Sequence, residues 1–198
     1  PRLLWSLLSI SGTAILQFLV ATLSWSGLVR IIAAFGTVAL AGYQIGLRVI
    51  ITVILPAVGL ANAAAALVGQ NLGAGKPQRA ERSVWIAGFL NAGLLGLAGL
   101  FFVVFPDLVI GIFTTDPEVS AYGRDCLRIV GYGYAFYGLG MVMESSFNGA
   151  GDTWTPTYLN LIVFWLFEIP LAYLLANYFG WGPQGVFWAI TLAFSLLA

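Results

Sequence analysis

The chain has 198 residues, of which 60% are hydrophobic and 8% charged; eight Lys and Arg balance eight Asp and Glu, and the mean hydropathy is +0.94. So little polar surface cannot coat a soluble domain, so the composition identifies an integral membrane protein. With no His and a single Cys, Cys126, and with zero net charge, the sequence excludes disulfide frameworks, zinc clusters, His-based catalysis and an electrostatic footprint for nucleic acid. It predicts no enzyme, cofactor or metal site.

Six apolar runs follow in chain order, each judged against the ~20 residues that cross a bilayer core. The first, residues 3–29, is uncharged and carries Ser6, Thr13, Gln17 and Ser24. At about 100° per residue these four fall within roughly 40° of one another, a polar stripe on an apolar helix. Such a stripe either makes hydrogen bonds between helices or faces a watered cavity. The chain opens on Pro1 and stops within an apolar run at Ala198, so it reads as a fragment; its first run is too long for a cleavable signal.

The second run, 38–69, holds Gln44, Arg48 and Asn62 on one face, with Pro56 and Gly59 expected to kink it. Arg48 reads as a residue snorkelling to an interface. Next comes "LVGQNLGAGKPQRAERSV", 67–84, where Lys76, Arg79 and Arg82 gather in a predicted loop over 70–82. Basic loops stay in the cytoplasm.

The third run, 83–105, and the fourth, 122–147, are rich in glycine (Gly88, Gly93, Gly96 and Gly99; Gly131, Gly133, Gly138 and Gly140), read as close helix packing. The fourth also presents Tyr134, Tyr137, Met141, Glu144 and Ser145 on one broad face, suited either to core packing or to a lipophilic cation. Arg124, Asp125 and Arg128, at its other end, are expected to pair locally.

The fifth run, 157–176, places Glu168 about ten residues from either end, near the bilayer midplane, with Pro170 just after it. An ionised carboxylate there is costly without a partner such as Gln17 or Asn62, and an acid beside a helix break is a site by default. The sixth run starts at Gly185. Trp5, Trp85 and Trp154 sit toward one membrane face and Trp25, Trp181 and Trp188 toward the other, while Trp165 lies deep.

"FNGAGDTWTP", 147–156, repeats the Asn, Gly-Ala-Gly and charge pattern of the 70–82 region two crossings later, so both ends share a membrane side. With "VALAGYQIGLRV" (38–49), "LVGQNLGAGKPQRAE" (67–81) and "FNGAGDTWTPTYLN" (147–160), the chain resembles the multidrug and toxin extrusion (MATE) family over nearly its whole length. The resemblance implies an all-α membrane protein whose residues 1–198 form the C-terminal six-helix lobe of a twelve-helix transporter, the last helix truncated and the N-terminal lobe missing. It implies a multi-pass protein of the plasma (inner) membrane with loop 70–82 in the cytoplasm.

The implied function is secondary active efflux of organic cations exchanged for H⁺ or Na⁺ by alternating access, with the lipid bilayer and the other lobe as partners and no nucleic acid. Expected on the substrate and cation pathway are Gln17, Gln44, Asn62, Tyr134, Tyr137, Glu144 and Glu168, with Arg48 as a further candidate. One branch of the family carries a glutamate in the first helix of this lobe and an aspartate in the fourth. Here the first helix has no acid, and alignment through "GAGD" puts Tyr137 at the aspartate's place, so the resemblance leaves two sources of coupling acids, the missing lobe and Glu168 in this one. A flippase for a lipid-linked oligosaccharide or lipid precursor is the nearest alternative. It would want several cavity arginines, whereas only Arg48 qualifies. A non-transporting structural subunit is the other alternative.

Overall fold

The structure, a computed structural model, describes residues 2–198, with side chains over 11–198, and identifies an all-helical membrane fold; among the described residues there is no strand. The expected positions of Trp5 and Ser6 therefore lie outside the described side chains. The helices are α1 (Arg2–Ala33), α2 (Thr37–Gly73), α3 (Pro77–Val104), the short α4 (Pro106–Gly111), α5 (Pro117–Gly149), α6 (Trp154–Tyr178) and α7 (Pro183–Leu197). Four stretches are long and apolar enough to cross a membrane: Ser11–Ala33, Thr37–Gly73, Pro77–Val104 and Trp154–Tyr178. The α5 helix, with 33 residues, is long enough but carries more charge, and α7, with 15, is shorter and apolar.

The predicted loop over 70–82 is mostly helix. Only Ala74, Gly75 and Lys76 leave the helical register, because α2 runs to Gly73 and Pro77 opens α3. Proline suits the first helical position, where its missing N–H is no loss. The same device opens α4 at Pro106 and α5 at Pro117. At α5 the Asp116 carboxylate also accepts from the Glu118 and Val119 N–H groups at 2.9 and 3.1 Å.

The two Gly-Ala-Gly segments end their helices identically. Gly75 and Gly151 take φ of +68° and +87°, a left-handed conformation that costs glycine little. Beyond each, the chain turns back: Lys76 N–H donates to the Asn71 carbonyl at 2.8 Å and Asp152 N–H to the Phe147 carbonyl at 3.0 Å. The second turn packs against α2, with Gly149 lying against the backbone of Ala65 and Gly69 against the Gly149 carbonyl.

The α5 helix is the hub, packed on α2, α3 and α7. Along the α3–α5 seam Gly88 faces Leu139, Gly96 faces Ala135, and Gly99 and Gly131 lie against each other's carbonyls. Asn91, buried in the same seam, donates to the Gly138 carbonyl at 2.9 Å. Most of these glycines are therefore packing residues; Gly93, with open space around it, is not. Without a hydrophobic driving force between helices in lipid, close backbone approach and interhelical hydrogen bonds supply the adhesion. The α2 helix continues unbroken through Pro56.

At the other end of the bundle, Arg124 and Arg128 pair with Asp107 of α4, not with Asp125, which instead accepts from Gln184 at 2.7 Å. The hydrogen bond from Arg124 holds the Asp107 carboxyl below its ordinary range. Any stability this pair contributes is present above the ordinary carboxylate range and is lost as the pH falls through the lowered value. Following Asp107 by NMR in Arg124→Ala should show its midpoint rise toward the ordinary range; an unchanged midpoint would contradict the pairing.

Candidate functional site

The polar stripe of α1 faces α5 and α6. Thr13 and Ser24 are buried and Gln17 is half-buried. Thr13 Oγ1 donates to Thr153 Oγ1 at 2.6 Å, and Gln17 Nε2 donates to the Thr153 carbonyl at 2.7 Å and to Asn148 Oδ1 at 3.2 Å. These residues join α1 to the turn after α5, so for Thr13 and Gln17 the stripe is an interhelical hydrogen-bond seam.

Higher on the stripe the chemistry changes. Ser24 Oγ lies 3.1 Å from Glu168 Oε2, donating to a carboxylate that is 3% exposed. Ser24, rather than Gln17 or Asn62, is thus the hydrogen-bond partner that Glu168 finds. Glu168 ends a π-helical stretch, Leu161–Glu168, within α6. Pro170 supplies a physical reason for the wide register: its ring clashes with the carbonyl four residues back and it has no N–H to close the α ladder. Short π segments recur at functional sites.

Glu168 opens on a cavity of about 180 Å³. Its walls include Trp25 of α1, Tyr43 of α2, Tyr137 of α5 and Phe164 of α6, with Phe194 of α7. Phe194 stacks on Tyr137 at 4.1 Å between ring centroids and meets Phe164 edge-on at 6.2 Å. One buried acid shares the wall with these aromatic rings and with aliphatic side chains such as Leu28, Leu47 and Ile190. A carboxylate and π faces both favour positive charge over negative.

Of the expected site residues, only Tyr137 and Glu168 line this cavity. Tyr134 is fully buried and donates its hydroxyl to the Ile50 carbonyl at 2.8 Å, so it ties α5 to α2 and does not face the cavity. Gln44, Arg48 and Asn62 lie on the exposed side of α2, a turn or more apart. Glu144 is half-buried at the other end of α5, where its Oε1 accepts from Asn160 Nδ2 at 2.7 Å. Trp25, Tyr43, Phe164 and Phe194 are cavity residues that periodicity did not single out, because aromatics at helical spacing are common in any core. Among the described residues no cluster of three or more His, Cys, Asp or Glu could hold a metal ion.

Comparison with known proteins gives the chain its relatives. The MatE family profile matches residues 13–174. The chain is 33% identical over 192 residues to the probable multidrug resistance protein NorM of Pseudomonas aeruginosa, covering 92% of this chain and 38% of that protein. It is 29% identical over 159 residues to the probable multidrug resistance protein NorM of Thermotoga maritima, covering 79% of this chain and 34% of that one. In fold it superposes on the MATE transporter ClbM, solved in complex with Rb⁺, with a TM-score of 0.93 at 21% identity, over 99% of this chain and 46% of that one. The bent form of the Vibrio cholerae MATE transporter VcmN gives a TM-score of 0.89 at 25% identity, over 96% of this chain and 43% of that one. The chain thus spans somewhat over a third of the length of these curated relatives and, in fold, matches about one lobe of a MATE transporter. It belongs to the MatE family of membrane transporters.

Proposed function

We propose that this chain is one lobe of an efflux transporter that exchanges organic cations for H⁺ or Na⁺, and that Glu168 takes the coupling cation. The observation that carries this reading is Glu168 itself, a buried acid held by Ser24 in the wall of a cavity lined by aromatic and aliphatic side chains. Size supports a division of roles. Drug-sized ligands occupy pockets of roughly 300–1,000 Å³. A cavity of about 180 Å³ suits a proton or a small ion with water, or one ring of a larger molecule. The substrate's own path then follows the exposed side of α2, where Gln44, Arg48 and Asn62 supply polar groups toward the second lobe. Alternating access would rock one lobe against the other around that path.

Reconstituted full-length protein should drive a fluorescent organic cation against its gradient when a H⁺ or Na⁺ gradient is imposed, and stop when the gradient is collapsed. Gradient-independent movement of a lipid-linked sugar instead would favour the flippase reading, and no movement of either would favour a structural subunit. The paucity of cationic side chains on the α2 path, Arg48 alone, supports organic cations over anionic headgroups.

The reading also takes the protein to lie in the inner membrane with Lys76, Arg79 and Arg82 in the cytoplasm, the orientation that the family resemblance implies. Gln78 and Glu118 are both exposed, and Cys126 is buried. In a Cys126→Ala background, Glu118→Cys should react with an impermeant thiol reagent added to intact cells and Gln78→Cys should resist it. The opposite labelling would reverse the orientation.

A further inference from the structure

We propose that Ser24 is a positioning residue that carries the charge state of Glu168 to the backbone of α6. Its hydroxyl proton goes to the Glu168 carboxylate when the acid is ionised and to the Phe164 carbonyl when the acid is neutral. The proposal rests on the function given above only in that Glu168 must take up and release a proton.

Ser24 has two acceptors and one proton to give. Its Oγ lies 3.1 Å from Glu168 Oε2 and 3.3 Å from the Phe164 carbonyl oxygen. Both distances exceed the roughly 2.7–2.8 Å usual for an O–H···O bond, as befits one proton set between two acceptors. Ser24 and Glu168 are buried within this lobe, and the contacts between them come from α1 and α6 alone.

Charge decides the choice. A hydrogen bond to an ionised acceptor is roughly twice as strong as one between neutral groups, so the carboxylate takes the proton. Once protonated, Glu168 has an O–H of its own to donate to Ser24 Oγ. The serine hydroxyl then turns about its Cβ–Oγ bond to the peptide carbonyl. The two bonds in series, Glu168 to Ser24 and Ser24 to Phe164, strengthen each other.

The Phe164 carbonyl is placed where α6 departs from α-helical geometry. It accepts from the Ile169 N–H, five residues on, in the π register. Pro170 follows directly and has no N–H to offer. A carbonyl has two lone pairs, so the bond from Ser24 adds to that from Ile169. The same stretch is held on α1 at two further points. Trp165 Nε1 donates to the Val20 carbonyl at 3.0 Å, and Gly27 lies against the Ile169 side chain. Neither contact involves Glu168, so both persist while Ser24 changes partner. Neutralising Glu168 thus adds a bond from α1 to the α6 backbone beside the proline, and ionising it withdraws that bond. The other titratable groups on this wall are Tyr43 of α2 and Cys126 and Tyr137 of α5; α7 contributes Ile190 and Phe194, and no Lys, Arg or Asp lines it.

The test is solid-state NMR of the full-length protein in lipid across a pH series. Carbonyl-¹³C phenylalanine with ¹⁵N tryptophan picks out Phe-Trp peptide bonds, of which this sequence has Phe164–Trp165 and Phe187–Trp188. The Phe164 signal is the one lost in Phe164→Leu, and the Glu168 carboxyl signal, in ¹³C-glutamate protein, the one lost in Glu168→Gln. As pH rises through the Glu168 titration, the Phe164 carbonyl should move upfield in step with it, having lost a donor. In Glu168→Gln it should not move, which would remove Tyr43, Cys126 and Tyr137 as the source. Ser24→Ala should hold it at the upfield position at every pH, and Ser24→Thr, which restores a hydroxyl, should bring the movement back. A Phe164 signal that stays still while Glu168 titrates would overturn the proposal, and this result needs no variant of Ser24 to fold. A response that survives in Ser24→Ala, or a Glu168 carboxyl that never titrates, would overturn it too. Transport through Glu168 is read separately by efflux and stands or falls independently of the carbonyl's response.

Discussion

Full-length protein bearing Glu168→Gln is expected to reach the membrane at normal levels and to lose cation efflux by roughly 5–150-fold, the range set by a coupling energy of about 1–3 kcal/mol. Glutamine keeps the size of the side chain and can still accept from Ser24 Oγ, which lies 3.1 Å from Glu168 Oε2. What it cannot do is take up and release a proton, or neutralise a bound cation. If Glu168 only packs α6 against α1, the amide should serve as well as the acid and efflux should stay at the wild-type rate. Efflux measured at several external pH values separates the two, because a coupling acid also sets the pH dependence. Ser24→Ala, which removes the hydroxyl but leaves the charge, should weaken efflux less than Glu168→Gln does.

The second large effect is structural. In Gly138→Leu a Cβ would sit 2.6 Å from the Asn91 carbonyl oxygen and 3.1 Å from the Ala92 nitrogen. Both are backbone atoms of α3, which cannot rotate aside, so the helices must separate. Overpacking of this kind costs about 1–3 kcal/mol and occasionally more. Here it would also break the bond from Asn91 Nδ2 to the Gly138 carbonyl. The variant should lower the midpoint of thermal unfolding in detergent markedly or prevent recovery of folded protein. Gly93→Ala is the contrast: a Cβ there meets nothing within 4 Å, and alanine is the better helix former by about 1 kcal/mol. If Gly93→Ala proved the more damaging of the two, the α3–α5 seam would be wrongly placed.

Much of this architecture is legible in the sequence because the bilayer imposes simple rules. Runs of apolar residues give the crossings, and the depth of Glu168 follows from counting along 157–176. Boundaries are less legible, since hydropathy reports where the lipid is and not where the helix stops. The segment over 70–82 is hydrophilic and yet largely helical, with Pro77 the one residue that announces the start of α3. Partners are the least legible. Ser24 and Glu168 are 144 residues apart and meet only through the rotation of α1 against α6. Tyr134 and Tyr137 share a broad face of α5, but the tertiary arrangement sends one hydroxyl to the Ile50 carbonyl and the other ring to the cavity. The polar residues of α1 gave two equal readings, and the structure divides them: Gln17 bonds the α5–α6 turn while Ser24 reaches the acid.

The central claim is that Glu168 takes the coupling cation, H⁺ or Na⁺, and gives it up as the organic cation is transported. Infrared difference spectroscopy of the full-length protein in lipid, recorded as the transported cation is added, tests it most directly. The account predicts loss of a protonated-carboxyl stretch on cation addition, with that signal absent from Glu168→Gln. A wild-type spectrum in which no protonated carboxyl responds to the cation, or an identical response in Glu168→Gln, would contradict it.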